Sequence, residues 1–82
     1  MPPLSAPTDS TQVRIKVNPK EIIYIHGILE AYDHLAIVRT LDNRNGILEL
    51  LASPSFLEDL HELLNALSLE IALEILNPEV FH

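Results

Sequence analysis

The sequence contains no cysteine, which excludes disulfide bonds, thiolate chemistry and zinc sites built on cysteine ligands. Its apolar runs are interrupted every few residues by Glu, Arg or Asp, so none approaches the ~18 residues that a membrane-crossing helix needs. No charged-then-apolar leader opens the chain, and we therefore expect no signal peptide. These absences favour a cytoplasmic protein without a membrane partner.

Basic residues are scarce in this chain, whose formal net charge is −7. All five Lys and Arg residues lie in the first 44 positions, and the segment from Asn45 onward contains acids but no Lys or Arg. Nucleic-acid affinity rests mainly on cationic neutralisation of phosphates, so we expect no nucleic-acid partner. The simplest interpretation is that the acidic residues form a solvated surface that keeps the protein soluble.

At 82 residues the chain has room for a single small domain. Residues 1–11 hold three prolines with Ser, Thr and Asp, and we predict that they form a disordered arm. Residues 12–77 carry the periodic apolar pattern of the folded domain, and residues 78–82 are predicted to form a short tail. The apolar content of 48% indicates apolar side chains on the surface or shared with a second subunit.

The domain alternates strand-like and helix-like patterns. The predicted order is a strand over 12–17, a helix from Asn18-Pro19, strands over 35–41 and 47–52 joined by a turn at 42–46, a helix near Ser55, and a strand over 71–76. This βαββαβ order predicts an α+β, ferredoxin-like fold. Right-handed crossovers would pack both helices on one face of a four-stranded antiparallel sheet.

Local signals add detail to the helices and the turn. Asn18 suits an N-cap, and Ser55 with Glu58 has the spacing of a capping box. Tyr32 extends the apolar stripe of the first helix, so we expect it in the core. In the middle of a helix, Gly27 is about 1 kcal/mol less favourable for helix stability than Ala would be. We therefore expect that the helix approaches the sheet closely at this position. Gly46 can take the left-handed conformation that the turn needs.

The sheet face that the helices leave open mixes aliphatic residues with both signs of charge. By alternation it carries Arg14, Lys16, Ile37, Arg39, Leu41, Ile47, Glu49, Leu51, Ala72, Glu74 and Leu76. Contiguous exposed apolar patches often mark interfaces. We therefore predict a non-enzymatic interaction or assembly module that self-associates, as a homodimer, or docks a protein through this face or a sheet edge. The expected interface residues are Ile37, Arg39, Leu41, Ile47, Glu49, Leu51, Arg14 and Lys16.

Motifs for chemistry are missing from the sequence. RNA-binding modules of this fold stack bases on aromatics of the central strands, and the open-face positions of those strands hold none. The pairs His26 with Glu30 and Glu58 with His61 offer two ligands each, whereas a metal site needs three or four. No triad or paired-carboxylate arrangement is present, so we predict no enzyme, no metal and no cofactor.

The runs Val13–Glu21, Glu30–Asp33 and Leu35–Asp42 resemble a family of small bacterial proteins catalogued only as a domain of unknown function. The resemblance spans residues 12 to 77 and implies no known activity. The element order is also similar to ACT-type regulatory domains, which pair through their sheets and bind amino acids near the loop after the first strand. That similarity implies an alternative function, a small-ligand sensor at a subunit junction near Asn18, Lys20 and Arg44. Asn18-Pro19 stands where such ligand loops usually have a glycine.

Overall fold

The computed structural model describes residues 10–81 and has the predicted α+β, ferredoxin-like architecture. Its elements are β1 (Thr11–Val17), α1 (Ile22–Ala31), β2 (Ile37–Asp42), β3 (Ile47–Ala52), α2 (Leu57–Ser68) and β4 (Leu73–Ile75). Short 3-10 helices span Pro19–Glu21, Pro54–Phe56 and Pro78–Phe81. The predicted arm lies outside the described residues except for its last two, and Thr11 already belongs to β1.

The four strands form one antiparallel sheet in the order β2-β3-β1-β4. β1 and β3 are therefore the central strands, as the fold predicts. In the β1–β3 register Arg14 lies opposite Glu49, and in the β1–β4 register Lys16 lies opposite Glu74. These pairings place charges of opposite sign side by side on one face of the sheet.

The hydrophobic core lies between the sheet and both helices. Each helix contributes one buried stripe, and the central strands supply the opposing surface; the buried residues include Ile22, Ile25, Leu29, Leu60, Leu64 and Leu67 on the helices and Val13, Ile15, Val17, Leu48, Leu50 and Ala52 on the strands. Each large aliphatic side chain that is fully buried contributes about 1.5–3 kcal/mol. Both helices thus cover the same face, and within residues 10–81 no helix lies over the other face.

The helix starts confirm one predicted cap and correct the other. Asn18 Oδ1 accepts a hydrogen bond from the Lys20 backbone N–H at 3.1 Å, so Asn18 is the N-cap that the sequence indicates. Ser53 is the N-cap of the 3-10 helix that leads into α2, and its Oγ accepts from the Ser55 N–H at 3.3 Å. The predicted capping box at Ser55 is wrong, because Pro54 has a backbone angle suited to the first helical position and starts the turn earlier.

Two further predictions about α1 are wrong. Gly27 lies on an exposed part of the helix, and a Cβ atom added there would meet nothing within 4 Å. It therefore marks no close approach to the sheet. Tyr32 is exposed, because α1 ends at Ala31 and the backbone of Tyr32 leaves the helical conformation with φ −115° and ψ 43°. The apolar stripe consequently stops at Leu29.

The β2–β3 turn is held by the Asp42 side chain. Its Oδ1 accepts from the backbone N–H groups of Arg44 and Asn45 at 3.0 and 3.1 Å, and its Oδ2 accepts from Asn45 Nδ2 at 2.7 Å. The Asn45 side chain, followed by the Asn45 and Arg44 N–H groups, holds the pKa of the Asp42 carboxyl below its ordinary value. Gly46 then takes the left-handed conformation with φ 70°, as predicted.

The end of the domain packs against the start of the sheet. Asn77 is buried, and its Oδ1 accepts from Arg14 N at 2.9 Å while its Nδ2 donates to Gln12 O at 2.8 Å. The side-chain amide of Asn77 thus continues the hydrogen bonds to the β1 backbone beyond the end of strand β4. In the segment predicted as a tail, residues 78–82, the 3-10 helix Pro78–Phe81 packs Val80 and Phe81 against the core. His82 lies outside the described residues.

Candidate functional site

The open face is the sheet surface opposite the helices, and we define it by Arg14, Lys16, Ile37, Arg39, Ile47, Glu49, Leu51 and Glu74. Its centre is Glu49 on β3, which is only 4% exposed although no helix in the described part of the chain covers it. Arg14 on β1 and Arg39 on β2 are the residues directly opposite Glu49 in the two strand registers. Long side chains on adjacent strands can cover a neighbour with their aliphatic stems. This arrangement accounts for a buried carboxylate on an uncovered face.

Arg39 and Glu49 form an ion pair. Arg39 Nε donates to Glu49 Oε1 at 2.7 Å, the short distance typical of a charge-assisted hydrogen bond. The two side chains differ sharply in exposure, with 66% of Arg39 and 6% of Glu49 accessible to solvent. Loss of its partner therefore costs the buried Glu49 carboxylate more free energy than it costs the exposed Arg39 guanidinium, which water can solvate.

Aliphatic side chains surround this pair on the open face. Ile37 on the edge strand β2 is 67% exposed. Ile47 and Leu51, which flank Glu49 along β3, are half-buried. Leu76 follows β4 and is also exposed, and its backbone N–H donates to Arg14 O at 2.8 Å. Most of the predicted interface residues therefore lie on one continuous surface.

Leu41 is displaced from the position that alternation predicts. A register irregularity between Thr40 and Asp42 leaves Leu41 without a partner, and Asp42 instead lies opposite Ile47. This β-bulge arises where β2 approaches the turn, and bulges increase local twist and bend the strand. Ala72 also leaves the predicted pattern, because β4 begins only at Leu73.

A cavity of about 620 Å³ lies at the end of the sheet where β1 ends. It is bounded by the β2–β3 turn, the last residue of α2 and the start of β4, and its polar lining residues are Lys16, Asn18, Arg44, Asn45, Ser68 and Glu74. The apolar lining residues include Val17 and Leu73. Two of the three predicted ligand residues, Asn18 and Arg44, are thus brought together, whereas Lys20 is not part of the lining.

The histidines that offered metal ligands have other contacts. His26 Nε2 lies 3.0 Å from Thr40 Oγ1, and the His61 ring stacks on Phe81 with centroids 4.3 Å apart. The His34 ring meets Phe56 edge to face at 5.7 Å. Within residues 10–81 no group of three or more His, Asp or Glu side chains is placed to hold a metal ion.

The helix layer carries exposed apolar residues that the sequence pattern did not reveal. Ile23 on α1 is 86% exposed, and Leu69 after α2 is exposed to a similar degree. Nearby, Tyr24 Oη donates to Glu70 Oε1 at 3.0 Å, and this hydrogen bond together with the carboxylate's charge raises the pKa of Tyr24. Apolar residues run almost all round α1, so periodicity alone could not tell which isoleucine faces solvent.

Within the described part of the chain, no helix has both the length and the apolar character needed to cross a membrane.

Comparison with known proteins assigns the chain to a family. No curated protein and no solved structure matches the chain. One family model does match, over residues 15–71, and this range runs from β1 through α2 and so includes most of the sheet and both helices. The chain therefore belongs to the family described as Domain of unknown function (DUF4911).

Proposed function

We propose that this chain is a non-enzymatic interaction module that self-associates through its open face. The observation that carries the proposal is the exposure of Ile37, at 67%, on a sheet face that no described element covers. Ile47 and Leu51 extend the apolar surface around the buried Glu49. Exposed aliphatic side chains that lie together on one face often mark a protein interface.

Charge favours a second copy of the chain as the occupant of this face. Three cations (Arg14, Lys16 and Arg39) and two acids (Glu49 and Glu74) give the open face a formal charge of +1, by 3 − 2. The whole chain carries −7, so the rest of the sequence carries −8, by −7 − 1. Two acidic copies therefore meet with least repulsion when their open faces approach each other. A two-fold arrangement would bring the same patch of each copy into contact.

The sheet edges are less suited to self-association than the face. The outer edge strand β2 is interrupted by the bulge at Leu41, and β4 is only three residues long. A long ladder of free backbone groups is what allows strands of two molecules to pair. Neither edge offers such a ladder, so we place the contact on the face.

The test is size-exclusion chromatography with light scattering on the full chain over a wide concentration range. The unmodified chain is expected to show a dimer that dissociates on dilution. Ile37→Asp places a charge on the open face and is expected to abolish the dimer, with unchanged far-UV circular dichroism. Ile23→Asp is the matched control, because it makes the same substitution at an even more exposed isoleucine on the helix layer.

Two results would overturn the proposal. A chain that stays monomeric at every concentration would show that the open face does not bind a second copy. A dimer that survives Ile37→Asp but dissociates with Ile23→Asp would place the interface on the helix layer instead.

A further inference from the structure

We infer that the cavity at the end of β1 binds a small organic anion, with a carboxylate or phosphate head and a short apolar body. Its volume of about 620 Å³ lies within the range of small-molecule sites, about 300–1,000 Å³. The inference does not depend on self-association through the open face. It rests on the charges, the uncommitted polar groups and the rigidity of the cavity wall.

The cavity concentrates positive charge in an acidic protein. Lys16 and Arg44, two of the five basic residues, line it together with one acid, Glu74. Glu74 lies opposite Lys16 in the β1–β4 register and offsets its charge locally. Among residues 10–81 the only side-chain ion pair within 4.0 Å is Arg39–Glu49, so Arg44 lacks an acidic partner there. Its planar guanidinium matches the geometry of carboxylate and phosphate groups.

Asn18, a second polar residue of the cavity lining, also has a donor to offer. Asn18 Oδ1 is committed to the Lys20 N–H, and among the described residues the Asn18 Nδ2 group has no partner. An amide nitrogen only donates hydrogen bonds. Val17 and Leu73 provide an apolar surface beside these donors. An anionic head against Arg44 and Asn18, with an apolar body on Val17 and Leu73, satisfies both parts of the lining.

Hydrogen bonds within the chain hold the wall of the cavity in place. Two hydrogen bonds from the backbone N–H groups of Arg44 and Asn45 to Asp42 fix the backbone of the β2–β3 turn, so the Cα of Arg44 has a defined position. The turn is tied to β1 by the hydrogen bond from Val17 N to Gly46 O at 2.9 Å. A site formed in advance loses less entropy on binding, which raises affinity for even a small ligand.

The test is an NMR titration of the full ¹⁵N-labelled chain with four probes of equal chain length at millimolar concentration. Hexanoate and hexyl phosphate carry the two anionic heads, and hexanamide and hexylammonium are the neutral and cationic controls. We expect saturable shifts of the amide signals of Val17, Asn18, Arg44 and Leu73 with one or both anions. The comparison of the two anions identifies the preferred head.

Variants test whether the anions bind in the cavity and not elsewhere on the protein. Arg44→Gln is expected to weaken binding of the preferred anion by roughly tenfold or more, because it removes a charge-assisted hydrogen bond. Lys20→Gln removes the same charge from a residue outside the lining and is expected to leave binding unchanged. Ile37→Asp is also expected to bind normally, which separates this inference from the proposed self-association.

Three outcomes would overturn the inference. They are the absence of saturable shifts with both anions, equal binding of hexanamide or hexylammonium, and an equal loss of affinity in Arg44→Gln and Lys20→Gln. The last result would show that the anions respond only to the overall charge of the protein.

Discussion

Gly46 in the β2–β3 turn and Val17 at the end of β1 meet backbone to backbone. The Val17 N–H donates to Gly46 O at 2.9 Å, and a Cβ atom placed on Gly46 would overlap the carbonyl oxygen of Val17. Gly46 also has φ 70°, a conformation that residues with a Cβ atom rarely adopt. The turn therefore docks on β1 only because this position has no side chain.

Gly46→Ala is expected to destabilise the domain by about 2 kcal/mol or more. The left-handed conformation alone costs an L-residue about 1–2 kcal/mol, and the overlap with Val17 O must be relieved by moving backbone. Urea denaturation followed by circular dichroism measures the change. A loss below about 0.5 kcal/mol would show that the turn relaxes without strain.

Gly27→Ala is expected to have the opposite effect and to stabilise the domain by about 0.5–1 kcal/mol. Gly27 lies within α1, and a Cβ atom there meets nothing within 4 Å, so the higher helix propensity of Ala acts without a steric cost. The same urea experiment measures the change in stability. The two glycine variants are controls for each other, because the same substitution is expected to destabilise the domain at Gly46 and to stabilise it at Gly27. A destabilised Gly27→Ala variant would mean that the helix surface has a contact not formed in the single chain.

Sequence reasoning succeeded where structure depends on neighbouring residues. The strand alternation around Ile15, the cap at Asn18 and the left-handed glycine at 46 each follow from a few adjacent positions. The element order then predicts the sheet order and the face that the helices cover, because few topologies are compatible with it.

Features that depend on distant partners could not be predicted in the same way. The burial of Glu49 requires residues from both adjacent strands, and the bulge at Leu41 shifts the register by a single position. The candidate ligand residues predicted from the sequence are Asn18, Lys20 and Arg44, but only the folded chain shows that Asn18 and Arg44 line one cavity together with Ser68 and Glu74. Asn77 is the extreme case, since its partners Arg14 and Gln12 lie 63 and 65 positions away.

Asn77→Ala is expected to lower the free energy of unfolding by about 1–3 kcal/mol. The substitution removes both hydrogen bonds of a buried amide and leaves the Arg14 N–H and the Gln12 carbonyl without these partners. Asn65→Ala, on the exposed side of α2, is the matched control and is expected to change stability little. Equal effects of the two substitutions would show that the Asn77 amide does not hold the ladder.

The stability of the β2–β3 turn is expected to depend on pH through Asp42. Hydrogen bonds from Asn45 and Arg44 hold its folded-state pKa below the ordinary 3.8, so the carboxylate form favours the folded state. Its contribution to stability is therefore fully present above pH 3.8 and is lost as the pH falls through the lower folded-state pKa. Urea denaturation of the unmodified chain and of Asp42→Asn should show a difference that shrinks over this acidic range. A difference that stays constant with pH, or a carboxyl that titrates at its ordinary value by NMR, would contradict this assignment.

The ion pair on the open face is expected to respond unequally to loss of its two members. Arg39→Met leaves a carboxylate that is 6% exposed without its partner, and we expect a loss of about 2 kcal/mol, less than for a fully buried pair because Arg39 is largely exposed. Glu49→Gln keeps an acceptor for Arg39 and leaves the exposed guanidinium in water, so its expected cost is about 1 kcal/mol or less. Urea denaturation in the Ile37→Asp background removes any contribution of self-association to these values. If Glu49→Gln instead costs more than Arg39→Met, the charge of the Glu49 carboxylate is stabilised mainly by groups other than Arg39, such as Arg14 on the opposite side, because Gln keeps the shape of Glu and removes its charge.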